Sequence, residues 1–347
     1  MNLSFAKPAI RIATRGSALA LAQANQVLAD CRAKFPSLGF ELRIIKTSGD
    51  KLQTASMSKT DPSLPKGLFT KELEFALLKG AADLAVHSLK DLPTDLPDGL
   101  KLAAVAGLRQ DVRDVLIYRD SGRLKAQGDA PGAAGRGFQP GMSLKDFPAG
   151  LVVATSSTRR RAQLLAHRPD FKVVEIRGNV ATRIAKLAQL PELDATILAA
   201  AGLARLNFTV TDAGHLNGQD LPHGLLAVFL EPEEMLPCVG QAAIGLEIRA
   251  HDQHIAAICA QLNHDHTFQC VLAERAFLRA MGGGCQSPVG AYAEVVGAKL
   301  RLRAVSFLGE KVQSAETKGP LTDPEALGAA VAGRLKQADG NMPPGRG

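Results

Sequence analysis

The feature that most constrains this chain is a repeated exchange between two hydrophobic periods. Short apolar runs such as "IRIAT" (10–14), "FELRIIKTS" (40–48) and "ADLAVHSL" (82–89) read as strands. Between them, residues 17–35 and "TKELEFALLKG" (70–80) carry apolar residues at helical spacing. Ser17 and Thr70 stand where N-caps are expected, and Gly80 where a helix stops. "LKLAAVAGL" (100–108) and "DVLIY" (114–118) add two more strands. Strands alternating with helices predict an α/β unit with a largely parallel sheet.

The alternation resumes after a break. Residues 119–150 are rich in Gly, Ala and Pro, and much of this stretch reads as a mobile surface insertion. Then "LVVATSS" (151–157), "KVVEIRG" (172–178) and the start of "ATILAAAGLARL" (195–206) read as strands. "TRRRAQLLAHR" (158–168) and "NVATRIAKLAQL" (179–190) read as helices. This second α/β unit is similar in build to the first without being an evident repeat. From about residue 265 the order changes: a long helix at 266–281, strands at 289–295, 299–307 and 310–318, and a helix at 323–337. Grouped strands between two helices predict a smaller α+β unit. A chain of 347 residues suits such a division.

Composition narrows the function classes. No run approaches the length of a membrane span. The first strand-like run begins near Ile10, so the expectation is a cytoplasmic chain without a signal or transit peptide. A net charge of +7 points to an anionic partner. With no Trp, only two Tyr and no zinc-finger, helix-turn-helix or RNP pattern, nucleic acid is a poor candidate. A small acid carrying several charges fits better. The five cysteines are odd in number and widely spaced, with no C-x-x-C pair, which argues against a disulfide framework or zinc knuckle. Cys31, Cys238, Cys259 and Cys270 lie in apolar or helical surroundings and read as buried structural thiols. Cys285 differs: in "GGGCQSPVG" three glycines precede it, so backbone and visiting groups can approach closely. "HDH" (264–266) lacks the further ligands a metal would need, and His87 reads as structural.

Basic residues recur where strands end and helices begin. Arg15 and Ser17 follow the first strand, and Lys90 the third. Ser157, Arg159, Arg160 and Arg161 open a helix, and Arg177, Gly178 and Arg183 span the next strand–helix turn, with Arg205 further on. Ligands of open α/β sheets bind beyond the carboxyl ends of the strands, where helix N-termini add partial positive charge. Arginine pairs bidentately with carboxylates. Two such units face to face would line a cleft for a polycarboxylate. Any one of these arginines could equally be a solvated surface charge; their repeated placement is the signal. One acid stands among them. Asp91 could stabilise a developing cation or relay a proton, and it could also cap a helix or pair with Lys90.

Eight stretches, in order, resemble the porphobilinogen deaminase (hydroxymethylbilane synthase) family: "RIATRGSALALAQ", "KGLFTKELE", "AVHSLKDLPT", "ATSSTRRRAQL", "IRGNVATRIAKL", "AAAGLARL", "VGQAAIGLE" and "AERAFLRAMGGGCQSPVGAYAE". The resemblance implies two lobes like type II periplasmic binding proteins and a smaller C-terminal α+β domain. The implied domain 1 is residues 1–110 and 240–260, domain 2 is 111–239, and domain 3 is 264–340. It implies a monomeric transferase of tetrapyrrole (haem) biosynthesis. Four porphobilinogen molecules condense head to tail, each losing ammonia to give an azafulvene, and water releases hydroxymethylbilane. It also implies one dipyrromethane cofactor per chain, joined by a thioether to Cys285, and Asp91 as the catalytic acid group. By motif position the cofactor's other partners are Ser17, Lys90, Asp91, Ser157, Arg159, Arg160, Arg177, Gly178 and Arg183. Substrate partners are Arg15, Ser17, Lys66, Phe69, Ser88, Arg177, Arg183, Arg205 and Gln241. No metal, nucleic-acid or membrane partner is implied.

The chain departs from the family in three places. Pro62 stands near where a second loop lysine is common, with Lys59 as a candidate substitute. The 119–150 stretch is long, and Gly282 replaces a residue that often has a side chain. A non-catalytic two-lobed anion-binding protein would not need Cys285 and Asp91 together. A thiol-dependent acyl transferase would need a histidine base near Cys285, and none is identifiable.

Overall fold

A computed structural model of the protein describes residues 9–47, 70–122, 136–284 and 286–338. The first sheet has five strands in the order Phe40–Ile45, Ile10–Arg15, Leu84–Ser88, Ile244–Arg249, Leu100–Val105. Alternate strand residues face opposite sides, as the pleat requires. Ile12, Leu84 and Val86 meet the helices Ala18–Lys34 and Gln253–Leu262 on one face. Ala13 and Ala85 meet Leu73, Ala76 and Leu77 of the helix Lys71–Leu78 on the other. Ser17 caps the first helix by accepting from the Ala20 N–H. Thr70 makes no side-chain cap and has helical backbone angles, contrary to expectation.

The second sheet runs Leu225–Leu230, Asp114–Arg119, Ala195–Ala199, Val152–Ala154, Lys172–Val174. Ile184 and Leu187 of the helix Val180–Gln189 pack on one face. Leu164 of the helix Thr158–His167 packs on the other. Neither sheet is as parallel as the alternation predicts. Ile244–Arg249 runs antiparallel to both neighbours, and Asp114–Arg119 runs antiparallel to Ala195–Ala199 and to Leu225–Leu230. A helical crossover makes neighbours parallel, but each of these two strands enters from the other unit and is free of that constraint.

The 119–150 stretch also departs from expectation. Phe138, Leu144 and Phe147 are buried in the second unit's core against Tyr118. Phe147 stands edge-on to Tyr118 and Phe138, with ring centroids 5.0 and 5.2 Å apart. These three anchors are hidden among glycines, alanines and prolines, so composition alone reads the segment as loop. Residues 123–135 lie outside the described residues.

The third unit is an antiparallel meander, Val289–Val296, Lys299–Ser306 and Gln313–Pro320. Its inward residues Ala291, Ala293, Leu300, Leu302 and Ala304 pack against the helices Asp265–Ala280 and Pro324–Ala338.

One buried ion pair ties the three units. Arg109, just past the first sheet's last edge strand, donates to both carboxylate oxygens of Glu274, at 2.6 and 3.0 Å. Its Nε donates to the Gln241 carbonyl at 2.8 Å. Glu274, fully buried in the third unit's helix, also accepts from Gly240 N and Ala293 N, both at 2.8 Å. Removing one partner of a buried pair leaves an uncompensated charge, at a cost of about 3–5 kcal/mol. Glu274→Ala is therefore expected to lose stability on that scale in urea unfolding, and a loss below about 1 kcal/mol would show that the pair is dispensable.

Candidate active site

The strand Leu84–Ser88 runs into a single 3-10 turn, Leu89–Asp91, at its carboxyl end. Two contacts hold this turn from the first unit: Leu89 N donates to the Ala243 carbonyl at 3.0 Å, and Ser88 Oγ donates to Gln23 Oε1, on the helix Ala18–Lys34, at 3.0 Å. The third unit's helix braces the residues just after the turn. Arg275 donates to the carbonyls of Leu92, Pro93 and Thr94, and Arg279 to Thr94 O and to the Asp95 carboxylate. Lys90 and Asp91 thus sit on a turn clamped from two sides.

Opposite them is the start of the helix Thr158–His167. Ser157 caps it, accepting from Arg160 N. Thr158 Oγ1 donates to the Gln286 carbonyl at 2.6 Å, which ties this helix end to the residue after Cys285. Arg159 and Arg160, expected as cofactor partners, are themselves held from within. Both reach inward to Asp114, at 2.8 and 2.7 Å, and each also donates to a carbonyl, Leu236 O and Ile197 O. Gln241 Nε2 donates to the same Asp114 at 3.0 Å and to Val112 O at 2.7 Å. Burial opposes ionisation of Asp114, but the two guanidiniums outweigh it and hold the carboxyl well below its usual range. Asp114 is a residue that sequence reasoning missed; its one signal is an acid opening an apolar strand.

These elements enclose a cavity of about 240 Å³. Lys90, Asp91, Ser157, Arg159, Arg160, Arg183 and Gln241 all line it, together with Gly284, Gln286 and Ser287 from the cysteine loop. Cys285 itself lies outside the described residues, as do Lys59, Pro62, Lys66 and Phe69. A larger cavity of about 710 Å³ shares Lys90, Val239, Leu278, Gly284 and Gln286 with the first, so the two adjoin at the loop. Gly282 closes the preceding helix at φ +71, in the left-handed region that any side chain would strain.

Other expected residues stand around the cavities rather than in their walls. Arg15, Ser17 and Ser88 are at the carboxyl ends of two central strands, where Ser17 caps its helix and Ser88 holds Gln23. Arg177 is half-exposed beside Glu175 at 3.5 Å. Gly178, at φ +120, lets the chain turn against Thr182, whose Cγ2 would lie 2.6 Å from any added Cβ. Its carbonyl accepts from Arg183 Nε at 2.8 Å and aims that side chain. Arg205 donates to the Ala242 carbonyl at 2.6 Å. Cys31, Cys259 and Cys270 are buried thiols, pushed up to about 11, 12 and 12 chiefly by burial. Cys238 is not: it is only half-buried, lines the smaller cavity and places Sγ 3.3 Å from Gln241 Oε1. An apolar sequence neighbourhood misled there because the cavity wall is itself partly apolar. His87 is paired with Glu247 at 2.9 Å, and His264 caps a helix by accepting from Thr267 N.

The electrostatics favour an anion. Burial, then repulsion from Arg160, lowers Arg183 to about 10, with Asp91 only partly offsetting them. A carboxylate beside Arg183 would relieve that imbalance. Comparison with known proteins then decides the family. The family model "Porphobilinogen deaminase, dipyromethane cofactor binding domain" matches residues 10–257, and "Porphobilinogen deaminase, C-terminal domain" matches 268–337. The chain belongs to the porphobilinogen deaminase family. It is 42% identical over 326 residues to the porphobilinogen deaminase of Desulforudis audaxviator, covering 93% of each chain. It is 43% identical to that of Chromobacterium violaceum, covering 95% of this chain and 94% of the other. The Synechococcus elongatus enzyme is 41% identical over 97% of this chain and 94% of its own. Its activity is that of the family, the head-to-tail condensation of four porphobilinogen molecules with loss of ammonia, and its cofactor is dipyrromethane. The cavity suits that group: the part-buried, under-compensated Arg183 and Lys90 line it with positive charge, and Gly282 and Gly284 border open space.

Asp114 gives the site a pH signature. Its folded value is lowered from an ordinary 3.8, so its stabilisation is present above that value and lost as pH falls below it. Asp114→Asn is expected to be less stable than wild type at pH 7 and to show a flatter decline below pH about 4 in thermal melts. Parallel declines would remove Asp114 from this role.

Proposed function

We propose that the chain acts as a cytoplasmic, monomeric hydroxymethylbilane synthase in which Cys285 Sγ carries the dipyrromethane through a thioether. Residues 1–110 with 240–260, 111–239 and 264–340 form its three domains. The observation that carries this reading is the meeting of Lys90, Asp91 and Arg183 in one cavity with the two neighbours of Cys285, Gly284 and Gln286. When bound, the dipyrromethane supplies the free pyrrole α-carbon from which the chain grows.

The protein's own groups divide the remaining work. Lys90 and Arg183 hold acetate and propionate arms, while Arg159 and Arg160, fixed by Asp114, add positive potential from the wall. Arg15, Ser17, Lys66, Phe69, Ser88, Arg177, Arg205 and Gln241 serve substrate and growing product. Asp91 faces the positive charge that develops on the pyrrole as ammonia departs. It is also placed to take the proton released from the ring carbon once the new carbon–carbon bond has formed. Its fixed turn means little rearrangement is needed at that moment.

Two measurements test this. Intact mass of the wild-type protein should exceed its sequence mass by two deaminated porphobilinogen units, and Cys285→Ser should lack the increment. An identical increment in both proteins would displace the attachment point. Asp91→Ala should keep the increment and the melting temperature while turnover drops by at least about 10²–10³-fold, the scale of losing one preorganised charge-stabilising group. Near-normal turnover in that variant would end the catalytic assignment.

A further inference from the structure

The run "TSST" (155–158) brings four hydroxyls to the start of the helix Thr158–His167. Three of them are used within the second unit. Thr155 Oγ1 accepts from Ser157 N at 3.2 Å, Ser156 Oγ donates to the Ile176 carbonyl at 2.6 Å, and Ser157 Oγ caps the helix. The fourth crosses to another unit: Thr158 Oγ1 donates to the Gln286 carbonyl at 2.6 Å. Since Ser157 already supplies the cap, the Thr158 hydroxyl is not needed by its own helix.

The far end of that bond is the cysteine loop. Within the third unit the loop is held by its own short contacts. Gly283 N donates to the Leu278 carbonyl at 3.2 Å, Ser287 N to the Gly284 carbonyl at 2.9 Å, and Gly284 N to Ser287 Oγ at 3.1 Å. None of these relates the loop to Arg159, Arg160 and Arg183, which stand on the second unit. Packing at the glycines does not do so either, because a Cβ added at Gly282 or Gly284 would meet no atom within 4 Å. The third unit's sheet does touch the second, through Ala291 N on the Pro237 carbonyl at 2.9 Å and Arg303 on Glu233. Those contacts lie on its strands, beyond the loop. The Thr158 hydroxyl meets the loop itself, one residue from Cys285.

We infer that Thr158 is a positioning residue whose hydroxyl registers the cysteine loop against the cations of the second unit, and so places the tethered end of the growing chain. This rests on the reading of Cys285 as the attachment point. Threonine suits the task, because a β-branched side chain is stiff at χ1 and holds its hydroxyl in one direction. The bond is single, neutral and exposed at both residues, so it adds little to folding and water can replace it when the loop shifts. Its effect falls on rate: a reacting end held slightly out of place loses turnover even when substrate binds normally.

The test uses full-length holoenzyme with its dipyrromethane confirmed by mass. Thr158→Val keeps the shape and removes the hydroxyl; Thr158→Ser keeps the hydroxyl. Thr158→Val is expected to lower kcat about fivefold, the scale of one neutral hydrogen bond, with KM for porphobilinogen within about twofold. Thr158→Ser should recover most of the loss, and both variants should melt with the wild type. Amide hydrogen exchange in a peptide covering residues 282–288 should quicken in Thr158→Val and not in Thr158→Ser. A wild-type kcat in Thr158→Val, a loss confined to KM, or a Thr158→Ser as slow as Thr158→Val would each overturn the proposal. So would unchanged exchange in the loop, or a fall in melting temperature that accounts for the fall in kcat. A mass increment that persists in Cys285→Ser is a different result: it would sink the attachment reading, and this inference with it.

Discussion

Glu274 carries the arrangement on which the site depends. It is a carboxylate without solvent, and it is tolerable only because two guanidinium N–H groups and two backbone N–H groups converge on it. Those donors come from Arg109 on the first crossing between the sheets, Gly240 on the return crossing and Ala293 in the third unit. Each must be in place for the charge to be satisfied, so the ion pair specifies a relative arrangement of the units and not merely their adhesion. The helix that bears Glu274 also bears Arg275 and Arg279, which clamp the segment after Asp91. Positioning of the third unit and positioning of the Asp91 turn are thus one event.

A second buried acid sets the charge of the cavity. Without Asp114, Arg159 and Arg160 would be two adjacent cations in a low-dielectric wall, each costly to keep ionised. With it, the trio retains one net positive charge, rigidly held and facing the cavity from behind. Among the described residues Arg183 makes no ion pair of this kind, and Asp91 offsets it only in part. Arg183 is lowered to about 10, which leaves it charged at neutral pH yet poorly compensated. This difference divides the arginines by environment: Arg159 and Arg160 are paired with a buried carboxylate, and Arg183 stands beside them without that compensation. Arginine count alone does not show that division.

Locality separates the features legible in the sequence from those that are hidden. Periodic elements are local, and the helices found at Ala18–Lys34, Thr158–His167, Val180–Gln189 and Asp265–Ala280 lie within two residues of where spacing puts them. Lys90, Asp91, Arg160, Arg183 and Gln241, grouped by motif, line one cavity. Strand direction is not local. Ile244–Arg249 and Asp114–Arg119 run antiparallel because of where the chain arrives from, which no window of residues records. Pairing is not local either. Asp114 and Glu274 look like ordinary acids in a strand and a helix, and their partners are 45 and 165 positions away. Phe138, Leu144 and Phe147 fail for a third reason, since a few anchors suffice to bury a segment whose average composition is that of a loop.

The return crossing shows how tightly these demands meet. Ala242 has φ +71, a conformation that costs a residue with a side chain about 1 kcal/mol or more. Its neighbours explain why the strain persists. Gly240 N is bound to Glu274, and the Gln241 carbonyl accepts from Arg109. The Gln241 side chain reaches Asp114, and the Ala242 carbonyl accepts from Arg205. Three consecutive residues therefore serve both buried acids and two arginines, and the backbone bends left-handed at Ala242 as it presents them all. The crossing is over-determined by charge, so it behaves as a fixed joint. Any widening of the cavity as product grows has to come from elements outside this knot.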